Sequence, residues 1–202
     1  MTVYVLIHEG YADWELGYVL AELQSPPVAP EIPKNRREVV TFGLRGGGEP
    51  QRSMGGLAVT PQVGIDDIPV ESVEALILPG GTFWGDLADE RLDTLVRAVR
   101  GADKPIAAIC AATGYLARLG LLEEVAHTSN GAAYLAEVAP DYGGAEHYQE
   151  ALAVRAEGII TASGLAAVEF THEVLSALEV YPAPVQEGWF RAFKYGELPP
   201  GL

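Results

Sequence analysis

The chain has 202 residues, 49% hydrophobic and 20% charged, which matches ordinary globular averages and allows a sizeable core, so disorder is excluded. Thirteen basic against 28 acidic residues leave a formal charge of −15, a field that repels phosphate backbones and anionic lipid and so sets aside nucleic acid and membrane as partners. The length suits a single domain over 1–202, with a core at 1–180 and a tail at 181–202 that packs on the core or on a dimer interface.

No apolar run approaches the roughly 20 residues of a membrane span, and Met1 opens directly into Val3–Ile7 without a basic leader. One cysteine cannot form an intrachain disulfide, which fits a reducing compartment. A cytoplasmic protein is expected.

In chain order, short β-rich runs alternate with helical periodicity, the pattern of a mostly parallel sheet covered by helices on both faces, an α/β fold. Val3–Ile7 reads as a strand, and Leu16, Val19, Leu20 and Leu23 mark a helix with Asp13 as its N-cap. The proline-rich stretch 25–37 reads as a surface connection, and Glu38–Phe42 as a second strand. Glycine-rich residues 43–72 are expected to form hairpins or loops. Ala75–Leu78 is a doubly buried strand that ends at Pro79-Gly80-Gly81, and Leu92, Leu95, Val96 and Val99 mark the next helix. Pro105–Ile109 is a further strand, and helical spacing resumes after Cys110 through Leu116, Leu119 and Leu122. Leu152–Val154 and Ile159–Thr161 read as strands, and Thr171, Val174, Leu175 and Leu178 as the last long helix. Trp189, Phe190 and Phe193 form an aromatic stripe beyond it, which packs on the chain's own core.

Cys110 stands between a buried strand and a helix, where a tight turn exposes a side chain at the carboxyl edge of the sheet with helix amides behind it. Ala107, Ala108, Ala111 and Ala112 leave room for that turn. From position alone the residue reads equally as core, since free cysteine is among the most buried residue types. Glu15 lies in the first helical turn, where an acid can simply offset the macrodipole, or can be a buried protonated carboxyl that donates to a thiolate. Gly80 and Gly81 are turn residues whose amides, with that of Ala111, can form an oxyanion hole. The helix terminus is expected to lower the thiol below the ordinary value of about 8.5.

The segments Tyr11–Leu16, Ala75–Gly81, Pro105–Cys110, His127–Asn130 and Ile159–Gly164 resemble, in this order, the ThiJ/PfpI family, which has the class I glutamine-amidotransferase-like fold. The resemblance implies a flavodoxin-like three-layer sandwich and a homodimer. It also implies a cysteine-dependent hydrolase, glyoxalase or deglycase acting on a small carbonyl or amide substrate, without cofactor. Cys110 matches the family's nucleophile, Glu15 its buried glutamate, and Gly81 with Ala111 its oxyanion turn. Two positions depart: Ala112 stands where members often have glycine, and Asn130 stands where many have histidine beside the cysteine. His127, three residues earlier, would point to the opposite face of a strand and reads as structural or exposed.

His172 and Glu173 lie on a helix, about 100° apart, and cannot make the strand-borne His-x-Glu pair of a true amidotransferase, which disfavours a glutaminase. His8 could line the pocket. No His, Cys, Asp or Glu group has metal-ligand spacing, so no metal is expected. The alternative to an enzyme is a redox sensor or stress protein whose Cys110 is reversibly oxidised.

Overall fold

The computed structural model describes residues 1–25, 32–85 and 87–197. Its elements in chain order begin with strand β1 (Thr2–Leu6), helix α1 (Asp13–Gln24) and strand β2 (Glu38–Gly43). Of the proline-rich connection between them, residues 26–31 lie outside the described residues. The glycine-rich stretch is a hairpin, β3 (Gln51–Arg52) and β4 (Ala58–Val59), followed by a short strand β5 (Val63–Gly64) and two single 3₁₀ turns. Then come β6 (Val73–Leu78), α2 (Glu90–Gly101), β7 (Ile106–Ile109), α3 (Ala111–Arg118) and α4 (Ala132–Val138). The chain closes with β8 (Ala153–Ala156), β9 (Ile159–Ala162), α5 (Ala167–Ala177) and α6 (Ala183–Tyr195).

The main sheet has the order β5-β2-β1-β6-β7-β9-β8 and is parallel except for β8, which returns antiparallel to β9. Alternation along β1 divides the core in two. Val3 and Val5 face a layer built by Leu16, Val19 and Leu23 of α1 with Phe170 and Val174 of α5. Tyr4 and Leu6 face Leu92, Val96 and Val99 of α2 with Leu116 of α3. Each such fully buried Leu, Val or Phe contributes about 1.5–3 kcal/mol of transfer free energy. The chain is therefore an α/β sandwich with helices on both faces of a mostly parallel sheet, the flavodoxin-like arrangement.

Four local expectations need correction. The N-cap of α1 is Ala12, not Asp13, because the Asp13 carboxylate is turned away to accept from Ser53 Oγ and from the Gly55 amide at 3.0 Å. Helix α3 stops at Arg118, short of Leu122, because Gly120 at φ +73° lets Leu121 N–H reach Leu116 C=O and Gly120 N–H reach Ala117 C=O, a Schellman ending. Strand β1 runs from Thr2 to Leu6, so it ends one residue short of the expected Ile7. The aromatic stripe lies on a further helix, α6, which Pro184 does not prevent because it falls in the first turn, where its missing N–H costs nothing. There Trp189 and Phe193 pack against Tyr18 of α1, and Phe190 packs on His172 of α5.

Candidate active site

The carboxyl ends of β6, β7 and β9 converge on one sulfur. Cys110 follows β7 directly and takes φ +59° and ψ −126°, a conformation that costs a non-glycine residue about 1–3 kcal/mol. The surroundings hold it there. Its N–H donates to Ala162 C=O of β9 at 2.9 Å, and its C=O accepts from Thr113 Oγ at 2.6 Å. Thr113 Oγ also meets Ser129 Oγ at 2.6 Å, which ties the elbow to the segment carrying Asn130. That segment is in turn pinned to β9 by Thr128 N–H donating to Thr161 Oγ at 2.9 Å.

Two glycines press on the elbow from either side. A Cβ on Gly80 would lie 2.5 Å from Cys110 Cβ, and one on Gly164 would lie 2.7 Å from Cys110 Sγ. Neither position has room for a side chain. Gly81 is constrained differently: at φ +138° it passes so close to α1's entry that a Cβ would lie 2.2 Å from Gly10 C=O.

Glu15 is fully buried under the sulfur. Its Oε2 accepts from Gly80 N–H at 2.6 Å, while Oε1 has no hydrogen-bond partner among the described residues. Burial pushes the carboxyl up from 4.5 to about 7, against the downward pull of the Gly80 amide and of the Cys110 thiol. With Oε2 occupied by an N–H, the proton of a neutral Glu15 belongs on Oε1, free to face the sulfur. Asn130 approaches from the other side, donating through Nδ2 to Sγ at 3.3 Å and accepting from Gly164 N–H through Oδ1 at 2.9 Å.

The expected lowering of the thiol is not what this environment gives. Burial pushes Cys110 up, Asn130 pulls it down, a charged Glu15 pushes it up again and the Ala111 amide pulls it down. The helix terminus is thus outweighed by desolvation and by the acid beneath it. Thiol and carboxyl are best described as one pair, in which loss of the first proton opposes loss of the second.

His127 is buried away from this pair: Nδ1 donates to Val125 C=O at 2.6 Å, Nε2 accepts from Tyr142 O–H, and burial lowers its pKa. With both ring nitrogens occupied it has no atom free for the sulfur. His8 is also buried and holds a lowered pKa, stacked on Phe83 at 4.5 Å and edge-on to Trp84. His172 sits on α5 beside Glu173, with 3.5 Å between Nδ1 and the carboxylate. No group of three or more His, Cys, Asp or Glu among the described residues is placed to hold a metal ion.

Sequence reasoning brings Cys110, Glu15, Gly80, Ala111 and Asn130 to one place, and it missed Gly164 and Tyr134. Gly164 is visible in the sequence only as the end of a strand motif. The phenol of Tyr134, on α4, is near enough for a Cys110 thiolate to raise its pKa.

The DJ-1/PfpI family model matches residues 1–177. The uncharacterized protease YoaZ of Bacillus subtilis is similar to this chain, with 35% identity over 95% of this chain and 90% of that protein. A thiJ/pfpI family protein from Bacillus anthracis has a similar structure, with a TM-score of 0.88 and 32% identity, covering 98% of this chain and 92% of that one. A DJ-1 superfamily protein from Agrobacterium tumefaciens gives a TM-score of 0.82 and 33% identity over 96% of this chain and 98% of its own. With a family model spanning most of the chain and relatives above 30% identity along nearly all of it, this chain belongs to the DJ-1/PfpI family.

Proposed function

We propose that the protein is a cysteine-dependent enzyme that attacks a small carbonyl or amide substrate through Cys110. The observation that carries this reading is the strained elbow: a non-glycine residue at φ +59°, walled by two glycines and set over a fully buried carboxyl. Such strain persists where surrounding structure enforces it, and it clusters at functional positions.

The chemistry follows from the proton inventory at the sulfur. Asn130 can donate to Sγ but has no basic nitrogen to take a proton. Glu15, at about 7, is the titratable group in contact with the thiol and is poised to accept its proton near neutral pH. As sulfur attacks, the S–C bond forms, the carbonyl π pair moves to oxygen, and the thiol proton passes to Glu15. The Gly81 and Ala111 amides are the proposed donors to that oxyanion, with Gly80 held in place by Glu15. Return of the proton from Glu15 to oxygen gives a neutral thiohemiacetal, from which the S–C bond must break again to close a lyase cycle. Its return to a leaving amine breaks the C–N bond and leaves a thioester, which water must hydrolyse to regenerate the thiol and close a hydrolase cycle. The protease name of the Bacillus subtilis relatives fits the hydrolytic branch. Turnover of methylglyoxal that disappears in Cys110→Ala supports the enzyme, and a reactive thiol without turnover of dicarbonyl, peptide or amide substrates overturns it.

A second reading is favoured by Asn130 itself, which stands in place of a base. A neutral Glu15 under the sulfur and an amide beside it suit reversible oxidation of Cys110 in a stress protein. Peroxide titration followed by intact mass separates this reading from turnover. We further propose that the functional unit is a cytoplasmic homodimer.

A further inference from the structure

Helix α3 is capped by Cys110 and carries Gly114 and Arg118 on one face, about one and two turns beyond the cap. Gly114 is buried there because α4 packs on it, with a Val138 methyl 2.6 Å, the Tyr134 hydroxyl 3.5 Å and the Tyr134 ring edge 3.6 Å from where a Gly114 Cβ would stand. The ring is half-buried, and no hydrogen bond of its hydroxyl is seen among the described residues. Three charges bear on it: a Cys110 thiolate, Glu137 and Arg118. Arg118 is itself engaged by carbonyls, at 2.8 Å to Trp84 and 3.5 Å to Val138.

Resting on the reading of Cys110 as nucleophile, we propose that Tyr134 is a further substrate-binding residue, whose hydroxyl donates a hydrogen bond to an oxygen on the carbon next to the one that Cys110 attacks. The spacing supports it. One helical turn is about 5.4 Å. An oxygen on the adjacent carbon of a sulfur adduct lies about 3 Å from sulfur, and a donor about 2.8 Å beyond reaches the level of Gly114. Burial and the neighbouring thiolate raise the phenol, so at neutral pH it keeps the proton with which it donates. The site thereby prefers small carbonyl compounds that carry a second oxygen over those that carry none.

The test uses two alkylating probes on wild type and Tyr134→Phe. Iodoacetamide is attacked at its methylene, where the S–C bond forms as iodide leaves, and it carries an oxygen on the next carbon. Methyl iodide undergoes the same displacement without that oxygen. Loss of one hydrogen bond predicts a fall of about two- to tenfold in the iodoacetamide rate of Tyr134→Phe, with the methyl iodide rate and melting temperature unchanged. Equal slowing with both probes means that the ring only packs α4 on α3, and it overturns the proposal; so does no slowing with either. A wild-type thiol that neither probe reaches overturns the nucleophile reading as well, which distinguishes the two failures.

Discussion

At the scale of single residues, the decisive group is Glu15. Its folded value of about 7 exceeds the 4.5 of an unfolded chain, so the native state holds the proton more tightly. The stability this contributes is complete below about pH 4.5 and is lost as pH rises through about 7. Glu15→Gln keeps an oxygen for the Gly80 amide and removes the buried charge. The variant should match wild type at pH 5 and exceed it at pH 8 by up to about 3 kcal/mol, read from urea midpoints. A difference that does not change between those pH values would mean that Glu15 does not titrate there. Asn130→Ala removes the donor that favours thiolate. Its iodoacetamide alkylation at pH 7.5 should slow by about two- to tenfold, and the midpoint of the pH profile should move up. His127→Ala leaves Val125 C=O and the Tyr142 hydroxyl without their buried partner, so it should cost about 1–3 kcal/mol while the alkylation rate per folded molecule holds. A rate lost at unchanged melting temperature would instead place His127 in the chemistry.

At the scale of elements, what the sequence disclosed and what it hid have physical reasons. The buried strands β6 and β7 and the amphipathic α2 announce themselves, because an apolar run or a 3.6-residue stripe is a property of neighbours in sequence. Cys110 and Glu15 were legible for the same reason, each lying at the turn between a strand and a helix. Gly164 was not, since its need to lack a Cβ arises from Cys110, 54 positions earlier, and appears only when β7 and β9 pair. Helix α6 was hidden because Pro182 and Pro184 read as helix breakers when the helix boundary is unknown. The raised thiol was missed because a helix terminus is visible in sequence whereas desolvation is not. The same long-range contacts give a test of the elbow. Gly164→Ala puts a methyl 2.7 Å from Sγ, within van der Waals overlap, and should either displace Asn130 or destabilise the fold by about 1–3 kcal/mol. A variant with native melting temperature and native Cys110 reactivity would show that the elbow is not held as tightly as described.

At the scale of the whole molecule, a charge of −15 favours mutual repulsion, and association has to come from apolar surface. Part of that surface lies on segments that also carry residues of the site. Ser53 and Gly55 clamp the β3–β4 hairpin to Asp13, which sets the exposed Met54 and Leu57 beside the exposed Trp14. Leu165, 89% exposed, follows the glycine that walls Cys110. Large apolar residues grouped in this way mark an interaction surface more often than residues scattered singly. A second copy of the chain placed there would cover all four residues and close the entrance to Cys110 from one side, giving a two-fold interface of the commonest kind. Because the driving force is apolar and the opposing force is charge, dimerisation should strengthen with salt as the repulsion is screened. Sedimentation at micromolar protein should give a dimer that is tighter at 0.5 M than at 0.05 M salt. The double substitution Trp14→Glu and Leu165→Glu should give a folded monomer with an unchanged far-ultraviolet spectrum. A wild-type monomer at both salt concentrations, or a dimer that survives the double substitution, would mean that this face is not where two chains meet.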